Sequence, residues 1–267
     1  MDHTTSASFQ TPRAGLEGPT VRTGATSVLD WAPARTPSRS AWERAQAERR
    51  FRDLTTRALS VLLAVVLLVL TLPLMAVIAL AVKLTSPGPV FFSQERVGLD
   101  KRLGSRRHGP RRFRNDRRKQ DRGGRIFWIH KFRTMYVSGS DAPQVWASKN
   151  DSRVTPVGRF LRAHRLDELP QLFNVLKGDM NLVGPRPEQP EIFDELCDTF
   201  RHFPQRQSVR PGITGWAQVN NGYDESLEDV RKKLRYDLEY VDRQSVLEDL
   251  KIILRTPRVM LLREGAR

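Results

Sequence analysis

The sequence predicts a mostly helical α+β protein with a small β element, held at a membrane by one apolar helix near its N-terminus. Three observations point there. Ala58 to Val82 contains no charged residue and is dominated by Leu, Val, Ala and Ile. As a straight helix it would run about 37 Å, enough to cross the ~30 Å hydrocarbon layer of a bilayer. In the C-terminal third, apolar residues recur at helical spacing: Ile192, Phe193, Leu196 and Phe200, then Leu227, Val230, Leu234, Leu238, Val241, Leu247, Leu250 and Leu254. The β-type runs are few and short: Val90 to Gly98, Ile126 to Ile129, and a glycine-bearing turn and strand over Arg210 to Val219.

A chain of 267 residues allows one or two domains. Its net charge of +15 predicts an anionic partner: nucleic acid, phospholipid headgroups or a phosphorylated substrate. The charge is uneven, since Lys101 to Arg125 holds twelve Lys/Arg against two Asp. The single cysteine, Cys197, excludes an intrachain disulfide and is expected to be a small buried side chain. Five scattered histidines show no zinc-ligand spacing, so a metal would be held by oxygen ligands, as Mg²⁺ is.

Residues 1–40 are rich in Thr, Ser, Ala, Pro and Gly, show no apolar period, and are expected to be a disordered tail rather than a signal peptide. Residues 41–85 follow as one membrane-associated unit. Its first part, Ala41 to Arg57, is basic and carries Trp42, Phe51 and Leu54, a pattern suited to a helix at a membrane surface. In the apolar run, Pro73 removes a backbone donor and crowds the carbonyl of Val69, which predicts a kink. The Thr71 hydroxyl is placed to bond a freed carbonyl. Lys/Arg flank both ends, so the positive-inside rule gives a single crossing no clear orientation. A helix that enters, bends at Pro73 and returns would keep both flanks on one side, each arm reaching about 15–22 Å. Crossing and re-entry both remain open on the residues alone.

Ser86-Pro87-Gly88-Pro89 carries the chain out of the membrane, and residues 86–267 form the second unit. The basic run at about 101–125 is expected to be a solvated loop, with contact to anionic lipid as its functional alternative. Ile126 to Ile129 leads into Lys131-Phe132-Arg133-Thr134-Met135, then a loop over Ser138 to Asn150. Pro156 to Ala163 reads as a short helix with Val157, Phe160 and Leu161 on its apolar face. Arg159 on that helix is expected to be solvated. Pro187 to Phe203 reads as a further helix.

The stretch Arg165 to Glu188 is where chemistry is expected. Asp167 and Glu168 precede Pro170, and a helix over Gln171–Leu176 is predicted to begin at or just before Asp167. Asp167 as N-cap would meet the positive end of the helix dipole and stay ionised. Adjacent helical positions diverge, so the pair can divide roles. Lys177-Gly178 supplies a cation in the last turn and a C′ glycine. Taken alone, the pair would mark only a capped surface helix. Its company alters that reading: Lys131 to Met135 upstream, Gly184-Pro185-Arg186-Pro187 after it, and Arg210-Pro211-Gly212-Ile213-Thr214-Gly215-Trp216 beyond.

These motifs, in this order across residues 55–260, resemble the bacterial sugar transferases, the monotopic phosphoglycosyl transferases that act on polyprenyl phosphate. The resemblance implies a re-entrant helix, a catalytic domain on the cytoplasmic face of the inner membrane, and a two-step reaction. A nucleotide-diphosphate sugar, usually a UDP-sugar, and polyprenyl (undecaprenyl) phosphate would give polyprenyl-diphosphate-sugar and UMP. Asp167 matches the nucleophile. Glu168 matches the second carboxylate, assigned to metal binding or proton handling, so Mg²⁺ is expected on Asp167 and Glu168. Pro185, Arg186 and Pro187 match the nucleotide-associated segment. Lys131, Arg133, Arg162, Arg186 and Arg210 are the candidates for phosphate contact, with surface ion pairs as the competing explanation. Two departures stand out: Leu72 precedes Pro73 where some relatives have serine, and the 101–125 run replaces a short loop. UDP-sugar, undecaprenyl phosphate and membrane lipid are the expected partners. Residues 221–224 are a candidate sugar contact. A membrane-tethered nucleic-acid-binding protein would explain the charge but not the carboxylate pair, and nucleic acid is not expected. An inactive scaffold for polysaccharide assembly is the other alternative.

Overall fold

The long apolar run becomes part of α1, one helix from Arg39 to Thr85. The structure is a computed structural model that describes residues 39–100, 124–136, 151–221 and 226–261. The expected tail up to residue 38, residues 101–123 of the basic run, the loop over 138–150 and residues 222–224 of the candidate sugar contact lie outside the described residues.

The basic stretch before Ala58 and the apolar run are continuous because nothing between them breaks a helix. Pro73 lies inside α1 and does not end it. Thr71 Oγ1 donates to the Leu67 carbonyl at 2.7 Å, so it backs a neighbouring carbonyl and not that of Val69, which Pro73 deprives of a donor. Only 17% of the most apolar window of Ala47–Thr85 is buried, whereas the core helix of a globular domain would be mostly buried. The buried positions form one stripe: Thr56, Ser60, Ala64, Met75, Ile78 and Val82. This stripe packs on the rest of the chain on both sides of Pro73. Ala64 joins Leu172, Val175, Met180 and Ile252 in one core. Met75, Ile78 and Val82 join Phe132 and Leu161 in another.

β1 (Phe91–Val97) and β2 (Ile126–Phe132) pair antiparallel, from Phe91↔Phe132 to Val97↔Ile126. The basic run therefore leaves and re-enters at the connected end of the hairpin, next to the Val97↔Ile126 pair, where the Gly98 amide donates to the Arg125 carbonyl at 2.9 Å. With the ends already held together, lengthening the connection costs little closure entropy. β2 extends past Ile129, so Lys131 is a strand residue opposite Phe92 and not part of a following turn.

α2 (Pro156–Ala163) has the predicted bounds, with Thr155 as N-cap accepting from the Gly158 amide. α3 (Gln171–Lys177) ends as predicted at Gly178, whose φ of 95° suits glycine. β3 (Asn181–Val183) and β4 (Gly212–Thr214) then pair parallel. A Cβ on Gly212 would lie 2.1 Å from the Gly184 amide nitrogen, which is why the Gly-Pro-Arg-Pro and Arg-Pro-Gly segments can meet backbone to backbone.

α4 (Pro190–Thr199) is shorter than the expected 187–203 helix, and a 3₁₀ turn at Phe203–Ser208 follows it. After β4 the chain forms α5 (Trp216–Asn220) where continued turn and strand was expected. α6 (Leu227–Arg243) opens on a capping box between Ser226 and Asp229, and α7 (Val246–Leu261) follows. Cys197 is partly buried, and burial, then the charges of Asp194 and Asp198, push the thiol up to about 12, away from the reactive thiolate.

Candidate active site

Arg165, with φ of 53°, is the one described non-glycine residue at positive φ. It turns the chain from α2 into a 3₁₀ turn over Leu166–Glu168. Asp167 is therefore not the N-cap of α3. Pro170 occupies that place, and the carboxylates sit a turn earlier, where the fold faces them toward β2 and the Gly-Pro-Arg-Pro segment. Both are buried, at 8% and 7% exposure.

The two carboxylates have opposite surroundings. Glu168 Oε1 accepts from Lys131 Nζ at 3.1 Å and from Arg186 Nη2 at 2.5 Å, and its Oε2 accepts from Arg186 Nη1 at 3.3 Å. Burial works against its charge, but Arg186 and Lys131 outweigh burial and hold the carboxyl far below the usual range. Asp167 has no hydrogen bond or ion pair among the described residues. Burial, and then the charge of Glu168, push its carboxyl up, with Lys131, Arg186 and Arg162 pulling back. The expectation of a cap-stabilised, freely ionised Asp167 is corrected, because the cations bind its neighbour. Burial also draws the Lys131 ammonium down, with Glu168 partly offsetting it.

The other expected phosphate contacts divide. Arg162 stays beside the pair, with Nε donating to Thr134 Oγ1 at 2.9 Å. Arg133 does not, since its Nη2 donates to Ser86 O at 2.7 Å, Ser86 Oγ at 2.9 Å and Val82 O at 3.3 Å, capping α1. Arg210 pairs with Asp53 of α1 at 2.6 Å. Both fasten α1 to the rest of the domain.

Pro185, Arg186 and Pro187 are held by their carbonyls. Pro185 O accepts from the Gly212 amide at 3.0 Å, Arg186 O from Arg206 Nη2 at 2.9 Å and Pro187 O from Arg96 Nη1 at 3.1 Å. The next carbonyl, that of Glu188, accepts from the Val97 amide at 3.0 Å. Beneath them lies a closed ionic cluster. Glu188 Oε1 takes Arg206 at 3.1 Å and Lys233 at 2.7 Å, and Arg206 meets Asp237 at 2.6 Å. Although burial opposes its charge, Lys233 and Arg206 hold Glu188 down to about 2.

Arg96, Glu188, Arg206 and Asp237 were not among the expected site residues. Arg96 stands in Gln94-Glu95-Arg96-Val97-Gly98, the end of the β-type run from Val90, and burial with Arg186 nearby lowers its guanidinium to about 10. Its Nε is buried without a hydrogen-bond partner among the described residues. Arg206 and Asp237 had no signal in the sequence.

No group of three or more His, Cys, Asp or Glu side chains placed to hold a metal occurs among the described residues. Both oxygens of Glu168 are engaged by cations, so it fits the expected Mg²⁺ poorly. Asp167 fits it, because Mg²⁺ needs only one or two carboxylates when substrate phosphates and water complete its octahedron.

Residues 51–263 match the family model described as bacterial sugar transferase. The chain is 42% identical over 217 residues to a UDP-glucose:undecaprenyl-phosphate glucose-1-phosphate transferase of Caulobacter vibrioides, covering 80% of this chain and 72% of that one. It is 41% identical over 211 residues to a UDP-N-acetylgalactosamine-undecaprenyl-phosphate N-acetylgalactosaminephosphotransferase of Aeromonas hydrophila, covering 79% and 44%. With a UDP-glucose:undecaprenyl-phosphate glucose-1-phosphate transferase of Xanthomonas campestris it shares 43% identity over 198 residues, covering 73% and 36%. The chain thus spans less than half the length of the last two relatives.

Proposed function

The chain belongs to the bacterial sugar transferase family, and from that membership and the geometry at Asp167 we propose that it transfers a phosphosugar from a UDP-sugar to undecaprenyl phosphate. The observation that carries the reading is the split between the carboxylates: Glu168 is forked by Arg186 and Lys131, while Asp167, beside the same cations, is unpartnered among the described residues.

In the first half-reaction an Asp167 oxygen attacks the phosphorus that bears the sugar. The phosphoanhydride bond breaks, UMP leaves, and an aspartyl phosphosugar forms. In the second, an oxygen of the acceptor phosphate attacks the same phosphorus and displaces the carboxylate. Phosphoryl transfer asks the protein mainly for position and charge neutralisation. Lys131, Arg162 and Arg186 supply charge around Asp167. Glu168 keeps the Arg186 fork in place, and the pinned carbonyls of residues 185–188 keep its backbone from moving. Asp167 would hold Mg²⁺ together with phosphate oxygens, and the ion would neutralise the diphosphate.

A lipid acceptor requires the site to sit at headgroup level, with the donor arriving from the cytoplasm. Two features support α1 as a re-entrant element at the inner membrane: basic residues flank both ends, and its buried stripe meets the domain before and after Pro73. The basic 101–125 run leaves the same domain and would lie against anionic headgroups.

The test is UMP release from UDP-glucose and UDP-N-acetylgalactosamine, with and without undecaprenyl phosphate, alongside capture of a radiolabelled phosphosugar on the protein. Ping-pong kinetics and an adduct lost in Asp167→Asn are expected. Full turnover in that variant would remove Asp167 as nucleophile, and absence of UMP with every donor would leave a scaffold.

A further inference from the structure

Just past the end of β2, Thr134 runs against α2 and meets it at three points. Its carbonyl accepts from the amide of Thr155, the N-cap, at 3.0 Å. The same carbonyl lies so close to Gly158 that a Cβ there would collide with it. Its hydroxyl accepts from Arg162 Nε at 2.9 Å. Residues 155, 158 and 162 follow at spacings of three and four, so one stripe of α2 faces Thr134. The contact is made through the Thr134 backbone at the start of that stripe and side chain to side chain at its end. Thr134 is buried, and its branched side chain has few rotamers, so the hydroxyl is a fixed point.

What the hydroxyl fixes is one nitrogen of a guanidinium whose other two are open. Among the described residues, Nη1 and Nη2 of Arg162 make no hydrogen bond or ion pair. Asp151, which also feels Arg162, is taken by Arg153 Nη2 at 2.6 Å. Lys131 and Arg186, the other cations beside Asp167, both donate to Glu168, and Arg162 does not. Arg162 nevertheless draws on the Asp167 carboxyl, so its charge lies near that side chain. A guanidinium at the end of a long flexible stem can take many directions. Held at Nε, it presents its two terminal nitrogens as a planar fork, the geometry that takes two phosphate oxygens together.

We infer that Thr134 is a positioning residue: its hydroxyl holds Arg162 at Nε so that the two terminal nitrogens fork a phosphate at Asp167. The inference rests on the transferase reading above and adds to it a residue that acts only through Arg162. It also accounts for a hydroxyl at this buried position, where valine would fill the same space.

The full chain is assayed for UMP release from UDP-glucose and UDP-N-acetylgalactosamine with undecaprenyl phosphate. Binding of inorganic pyrophosphate with Mg²⁺ present is measured beside it by calorimetry. Thr134→Val keeps the shape and the backbone contacts and removes only the hydroxyl. It is expected to lower kcat/KM and pyrophosphate affinity about tenfold each, the scale of one charge-assisted hydrogen bond, without lowering the melting temperature. Thr134→Ser, which restores the hydroxyl, should recover both. In an Arg162→Met background Thr134→Val should cost nothing further, because the group it positions is gone. Wild-type values in Thr134→Val, no recovery in Thr134→Ser, or losses that add to those of Arg162→Met would overturn the assignment. Failure of the transferase reading shows separately, as no UMP release from any donor by the unaltered chain. The pyrophosphate measurements then decide the role of Thr134 by the same three comparisons, and absence of pyrophosphate binding would overturn it.

Discussion

Two ionic clusters meet at Arg186. One is open: Glu168, Lys131 and the Arg186 side chain, with Asp167 beside them and unpartnered among the described residues. The other is closed: Glu188, Lys233, Arg206 and Asp237, in which Arg206 also holds the Arg186 carbonyl. Both contain buried carboxylates and basic side chains. In the closed cluster each carboxylate has a cationic partner, which suits a structural role. In the open cluster one carboxylate is left with charge nearby and no bond, which is what a nucleophile needs. A buried ion pair is thus weak evidence of chemistry, and a buried carboxylate left outside the pairing is stronger evidence.

The largest expected effect separates the clusters cleanly. Asp167→Asn should lower turnover by at least about 10³-fold, the scale on which loss of a nucleophile acts. Its thermal stability should be unchanged or higher, because an amide removes a charge that burial disfavours. Calorimetry beside the UMP assay checks both.

Asp237→Asn should do the reverse. It leaves Arg206 short of a buried counter-charge, a change that costs about 3 kcal/mol. Denaturant unfolding should show that loss, while turnover of the folded fraction changes by less than about threefold. A large activity loss at full stability would mean that the closed cluster takes part in the reaction.

Lys131→Met should weaken the open cluster alone. A loss of about tenfold in kcat/KM is expected, the order of one charge-assisted contact. The stability change should be small, because Arg186 still holds Glu168.

pH should separate the two clusters again. As the proposed nucleophile Asp167 must be ionised to attack, and its carboxyl lies above the ordinary value of 3.8, so kcat/KM should fall on acidification while the protein is still folded. Glu188 is depressed from 4.5 to about 2. A depressed carboxyl stabilises the fold above its unfolded value, and that stability is lost as pH falls through the folded one. Its share of stability should therefore decline only between about pH 4.5 and about pH 2. Coincident loss of activity and fold would contradict this assignment.

The smallest effect is expected at Arg210→Met. Arg210 and Asp53 are 20% and 44% exposed, and such pairs contribute about 0.5 kcal/mol. Turnover should change by less than about twofold, whereas a true phosphate contact would lose far more.

The sequence by itself determined what short-range physics controls. The uncharged run Ala58 to Val82, the bounds of α2, the stop at Gly178 and the order of the motifs all follow from residues within a few turns of one another. Only the tertiary structure decided where the cations go. Lys131 reaches Glu168 across 37 residues, Arg186 reaches it across 18, and Arg210 reaches Asp53 across 157. Local pattern made Asp167 a helix cap, and the company of the motifs made Arg133 a candidate phosphate contact. Burial and long-range pairing placed Asp167 in a 3₁₀ turn and tied Arg133 to the end of α1. Charges have no periodicity to read. Their partners depend on which surfaces the apolar core brings together, so the fold alone decided which of two adjacent carboxylates would be left unpaired among the described residues.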